Sequence, residues 1–213
     1  MGFFNQINLG ETNESPSPQP TSANASIDQQ VSWAPLCAGG SNFKSAKLVQ
    51  QGQRLMVKKS FAGLFFALIF FIPGLLVLGI GAPYVFFNGE PIAAIFLIVW
   101  GAAFAGVGWF LLGVNRRLVM DLEQGIYYRG KWQPDLTDEG KQGYLKEVAA
   151  LQVLTELVSS TSEGRTSRFY SYELNLVLRN AQRVNIMDHG NKKALDNDAY
   201  TVAKELGLPV LRR

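Results

Sequence analysis

One cysteine and one histidine are all the thiol and imidazole that the 213 residues offer. A single thiol excludes an intramolecular disulfide framework, and one Cys with one His cannot complete the four N or S ligands of a closed structural zinc site. Excess charge is equally scarce: 20 Lys and Arg stand against 17 Asp and Glu, interspersed, so no basic face for nucleic acid is indicated. Residues 1–31 lack the material for a core. Their run NESPSPQPTSANAS reads as part of a disordered polar tail, without the basic start and apolar stretch of a secretory signal and with Gln6 where a myristoylation signal wants Ser or Thr.

What the chain has in quantity is uncharged apolar length. Residues 61–82, FAGLFFALIFFIPGLLVLGIGA, and 92–114, IAAIFLIVWGAAFAGVGWFLLGV, carry no charged side chain. A helix over either run is about 33 Å long at about 1.5 Å per residue, enough for the roughly 30 Å hydrocarbon core of a bilayer. A helical hairpin buried in a soluble protein is the alternative, but such helices keep a polar stripe and neither run has one. Pro73 falls inside the first span, where a membrane helix tolerates it better than a soluble one. The loop at 83–91 has no Lys or Arg, whereas Arg54, Lys58 and Lys59 precede the first span and Arg116 and Arg117 follow the second. The positive-inside rule then puts both termini in the cytoplasm of a multi-pass inner-membrane protein, with Lys58, Lys59, Arg116 and Arg117 at the inner headgroups. Gly101 with Ala105, and Ala102 with Gly106, form small-xxx-small pairs suited to close helix packing.

Residues 115–213 read as a cytoplasmic α+β domain. LVMDL and IYYRGKW flank a turn in which Gly125 suits a positive φ, giving a hairpin. VAALQVLTELV follows with Leu151, Val153 and Leu157 on one face. In the clearest strand, Tyr170, Tyr172, Leu174, Leu176 and Leu178 alternate with Ser171, Glu173, Asn175, Val177 and Arg179, a pattern that buries one face. Val184 and Ile186 continue that face. The period then changes: Leu195, Ala199, Val202, Ala203 and Leu206 fall at helical spacing, ahead of Gly207 as C-cap and Pro209 beyond it. The pre-membrane segment 32–60 ends in KLVQ, QGQ and RLMVKKS, which fits either a hairpin joining the later strands or a membrane-proximal linker.

This layout, with GGSNFKSAKL at 39–48, DLEQGIYYRG at 121–130 and YELNLVL with RVNIMDHG over 172–190, resembles bacterial two-helix membrane proteins with a pleckstrin-homology-like cytoplasmic domain. The resemblance implies an antiparallel β-rich fold closed by one C-terminal helix, and a scaffold-like role rather than a chemistry.

A search for catalytic sets returns little. His189 lies beside Asp188 where strand gives way to helix, and pairing it with Ser171 or Tyr170 would need a geometry that sequence neighbours on a turn do not supply, so it reads as a solvated turn histidine. Cys37 in LCAGGSN has no adjacent base and reads as an unreactive thiol. Ser41 and Lys44 match S-x-x-K without its companion motifs. Asp196 and Asp198 read as charges in the first turn of the last helix, favoured by its dipole. No catalytic residue, cofactor site or metal set is expected, nor a small-molecule substrate. The expected partners are the lipid bilayer and a protein partner or second copy. The expected function is that of a non-enzymatic scaffold or adaptor whose β-rich domain binds at the cytoplasmic face, with an accessory subunit of a transporter or membrane enzyme as the alternative.

Overall fold

The computed structural model describes residues 27–113, 118–130, 132–133, 138, 140–162 and 165–213. Among the described residues, nine strands form two sheets. The first is antiparallel in the order β1-β2-β3-β4-β5, from β1 (Ala46–Gln51), β2 (Arg54–Lys59), β3 (Leu118–Asp121), β4 (Ile126–Arg129) and β5 (Gln142–Tyr144). The second has the order β8-β7-β6-β9, from β6 (Val148–Ser162), β7 (Arg165–Leu178), β8 (Arg183–His189) and β9 (Val210–Arg212), the last running parallel to β6.

The segment before the helices is a hairpin, turned at Gly52 with φ +58°. Its second strand pairs with β3 through Arg54 with Asp121, Leu55 with Met120 and Met56 with Val119. The two helical runs are therefore an insertion between hydrogen-bonded neighbours of one sheet. Leu55, Val57, Leu118, Met120 and Tyr127 of the first sheet pack with Leu151, Val153, Leu174, Leu176, Val184 and Ile186 of the second. Helix α4 (Lys192–Leu206) closes this core with Leu195, Ala199 and Val202. Its boundaries follow from capping: Asn191 Oδ1 accepts from Ala194 N at 2.9 Å, and Gly207 takes the left-handed φ of +63° that a C-cap requires. Because the helix starts at Lys192, Asp196 and Asp198 lie beyond its first turn, against the dipole reading. Asp196 instead pairs with Lys192 and Arg212, and Asp198 accepts from Leu48 N on β1 at 3.2 Å.

The inserted segment comprises α1 (Phe61–Leu76), a π-helical turn at Val77–Gly81, α2 (Ala82–Phe87) and α3 (Pro91–Gly113). The first three run on as one helix of 27 residues, and α3 has 23; both are long and apolar enough to cross a membrane. The helix reaches Phe87, so the sequence-based loop of 83–91 shrinks to 88–90. Pro83 lacks the N–H that a regular turn would need, and the wider π turn before it, with Ala82 N bonded to Val77 O, absorbs that loss. Only 11% of the most apolar stretch of each helix is buried, whereas the core helix of a soluble domain is mostly covered.

The sequence ends the polar tail at residue 31, but residues 27–30 are helical and Val31 is buried with Ala150, Val177 and Leu211 on the far face of the second sheet. Residues 1–26 lie outside the described residues. Leu157 and Tyr170, expected on the buried face, are instead 52% and 57% exposed, because β6 and β7 outrun the core that their inner halves cover.

Candidate functional site

One end of the sandwich adjoins the helices. Strand β2 ends at Lys59, and the next residue, Ser60, caps α1 by accepting from Gly63 N at 3.1 Å. The Ser60 hydroxyl donates to Lys44 O, and its N–H donates to Ser45 O at 3.0 Å. Gly63 lies so close to Ser45 that a Cβ would overlap its carbonyl, and Phe43 meets Phe66 with ring centroids 5.7 Å apart. At this junction, no linker separates β2 from α1.

Of the four basic residues singled out for the membrane surface, Lys58 and Lys59 are the last two residues of β2, both half-buried, at this end. Arg116 and Arg117 lie outside the described residues. The register places the exposed Lys47 directly opposite Lys58, and Lys44 is in the loop beside the α1 cap. Sequence reading missed Lys47 as a member of this group, although counting back from the Gly52 turn finds it. If the domain reads lipid headgroups, the sequence expects Arg129 and Lys131 of the first hairpin to face the membrane; Arg129 is instead drawn inward to donate to Asn185 O on β8, and burial lowers its pKa. Lys131, named with it, is outside the described residues.

The polar face of β7, which alternation assigns to solvent, is covered. Residues 32–39 cross it as a strap held through backbone groups. Glu173 accepts from Leu36 N at 3.0 and 3.1 Å and from Cys37 N at 3.0 Å, while Asn175 Nδ2 donates to the same carboxylate. Glu156 accepts from Gly39 N at 3.2 Å. In the other direction, Gln152 Nε2 donates to Ser32 O at 3.0 Å and Arg183 to Ala34 O at 2.7 Å. Three carboxylates, Glu156, Glu173 and Asp188, thus converge under the strap, and burial followed by the charge of Glu173 and then Glu156 raises the Asp188 pKa. The exposed Cys37 thiol is likewise pushed up, by desolvation first and then by Glu173 and Asp188, which disfavours the reactive thiolate. Among the described residues, no three His, Cys, Asp or Glu side chains are placed to hold a metal ion.

His189 is not on a solvated turn. It ends β8 opposite Tyr172 and is wholly buried, since the strand runs through residue 189 and the loop at 41–45 covers its end. Its Nδ1 accepts from Asn191 N at 3.2 Å, and its Nε2 has no hydrogen-bond partner among the described residues. The pleat puts His189 on the core face and Asp188 on the strap face, where a Cβ on Gly40 would meet both Ser171 and Asp188. The arrangement therefore does not assemble the His189, Asp188 and Ser171 set.

Burial, followed by the charge of Lys44, lowers the His189 pKa to about 4. A depressed folded-state pKa stabilises above the unfolded value near 6.5, and that stability is lost as pH falls toward 4. Asp188, shifted upward, acts in the opposite sense. Thermal midpoints recorded from pH 7 to 4 are therefore expected to fall more steeply for the native chain than for His189→Gln, and parallel curves would contradict the assignment. The variant is also expected to be less stable at pH 7, because His189 fills core volume.

The small residues of α3 divide into two sets. Gly101, Ala105 and Gly108 face the first span, whose own Gly74 is buried against Gly101 and Ala105. Ala102 and Gly106 point outward and are exposed. At the opposite end of the second sheet, Glu147, Leu178, Arg179 and Asn180 line an open depression of about 370 Å³, without a paired acid and base. No family model, curated protein or solved structure matches the chain.

Proposed function

We propose that the protein is a non-enzymatic inner-membrane binding module. Its helical hairpin crosses the bilayer with both chain termini in the cytoplasm, and its sandwich, of pleckstrin-homology-like layout, works at the cytoplasmic leaflet as a scaffold or adaptor. The observation that carries this reading is the insertion of the hairpin between the paired strands β2 and β3. An anchor in the middle of a sheet, joined through the Ser60 cap without a linker, holds the domain at a fixed height and orientation, which a flexible tether would not. Lys44, Lys47, Lys58 and Lys59 at the helix end support an inner-leaflet placement, each such charge near anionic lipid being worth about 1 kcal/mol.

The exposed Ala102 and Gly106 favour the second reading, an accessory subunit that docks a partner helix. Extraction of the full chain directly into lipid nanodiscs, followed by identification of what co-purifies, separates the two. A module of the first kind comes out with anionic lipid enriched and no stoichiometric membrane partner. A fixed-ratio integral membrane protein, lost on Gly106→Leu, would replace it with the accessory reading.

A further inference from the structure

Strands β6 and β7 stay paired well past the rest of their sheet. Pairing of β8 with β7 stops at Tyr172 with His189, and that of β9 with β6 stops at Val153 with Arg212. Beyond Glu156 and Ser171 the ladder continues through Leu157 with Tyr170, Val158 with Phe169 and Ser159 with Arg168, out to Ser162 with Arg165. At about 3.3 Å per residue, this two-stranded arm projects by about 20 Å. A lone two-stranded ribbon is at best marginally stable in water, so this one needs a surface to lie on.

Three observations indicate which surface. The arm leaves the sheet at the end that adjoins the helices: Ser45 Oγ donates to Asp188 O at 3.1 Å, Gly190 N donates to Phe43 O at 3.2 Å, and Ser45 and Phe43 contact Ser60 and Phe66 of the first span. The period of two then sets Leu157, Tyr170 and Arg168 on the same face as Leu151, Val153, Leu174 and Leu176, the face turned toward the sheet that feeds the helices. The composition also fits an interface. Leu157 and Tyr170 are large and exposed, Arg165 and Arg168 are exposed cations, and Ser and Thr fill most of the remainder. Tyrosine and arginine side chains carry apolar bodies with polar ends, which suits them to the headgroup level.

We propose that this arm lies in the headgroup layer of the bilayer that holds the hairpin, with Leu157 and Tyr170 at the acyl boundary and Arg165 and Arg168 on anionic headgroups. The proposal rests on the membrane anchoring argued above. Its unpaired strand edges stay among hydrated headgroups, since hydrocarbon would leave their N–H and C=O groups unsatisfied.

The test uses the full chain carrying Cys37→Ser, with Tyr170→Cys or Val99→Cys bearing an environment-sensitive fluorophore, in vesicles of phosphatidylcholine containing phosphatidylglycerol. Label at residue 170 is expected to emit to the blue of its value in water and to be quenched more by a shallow nitroxide lipid than by a deep one. Label at residue 99 is expected to show the reverse order. Adding Arg165→Gln and Arg168→Gln is expected to abolish the blue shift at 170 and leave 99 unchanged. Water-like emission at 170 with deep quenching at 99 would overturn the arm's placement and leave the anchor standing. Absence of quenching at 99 would overturn the anchor and the arm with it. A shift at 170 that disappears when the protein is diluted into excess lipid would assign the arm to a second copy, against the proposal.

Discussion

Gly74→Leu is expected to part the two spans, lowering the thermal midpoint in detergent sharply and shifting the chain from a monodisperse peak to aggregate. A side chain at Gly74 would overlap the backbone of Ala105 and approach Gly101 O, and one at Gly108 would overlap the backbone of Phe71. The obstacle in both cases is main chain, which cannot rotate aside. Overpacking costs typically 1–3 kcal/mol where side chains can adjust, so these sites belong at or above about 3 kcal/mol. In lipid the helices have no hydrophobic drive toward each other, and close backbone approach is the main source of their association. Gly106→Leu makes the control, since nothing stands within 4 Å of its Cβ position. That change is expected to alter stability by no more than about 0.5 kcal/mol. Equal damage from Gly106→Leu would mean that the outward face is covered by another helix.

Glu173→Ala is expected to release the strap. The carboxylate is buried and takes the N–H groups of Leu36 and Cys37 together with the Asn175 amide; truncation leaves the two backbone donors without an acceptor and Asn175 Nδ2 with only Gln152 Oε1 at 3.4 Å. Hydrogen bonds to a charged group are worth about 1.5–3 kcal/mol each and do not simply add, which puts the total loss at roughly 3 kcal/mol or more. Limited proteolysis is expected to cut between residues 32 and 40 in the variant and not in the native chain, with Glu173→Gln intermediate because it keeps one acceptor oxygen. A strap equally protected in Glu173→Ala would show that the apolar contacts of Val31 and Trp33 hold it instead.

The parts that the sequence made legible are those where one local signal decides the outcome. Gly125 takes φ +67° between β3 and β4 as the turn pattern requires, and Gly207 caps the last helix where the apolar period ends. The uncharged spans announce their helices by length. Register was legible in principle, since the Gly52 turn alone sets Lys47 opposite Lys58. What failed depended on distant segments. Ser171, Glu173 and Asn175 alternate with Leu174 and Leu176 as in any half-exposed strand, and nothing local says that a polar strap will cover them through its backbone. His189 looked exposed because Asp188 and Gly190 flank it, yet tertiary packing of the loop at 41–45 buries it. Tyr170 and Leu157 followed the apolar period into an arm that leaves the core behind. The same distance effect hides the candidate site, whose basic and aromatic residues come from β1, β2 and the β6–β7 arm.

The central claim, a hairpin crossing the bilayer with the sandwich on the cytoplasmic side, is tested most directly by thiol accessibility in intact cells. In a Cys37→Ser background, Asn88→Cys lies in the short turn between the spans and Gln53→Cys in the exposed β1–β2 turn. A membrane-impermeant maleimide is expected to label residue 88 in intact cells and residue 53 only after the membrane is opened. Labelling of residue 53 but not 88 in intact cells would invert the topology, and equal labelling of both before lysis would contradict a membrane-spanning hairpin altogether.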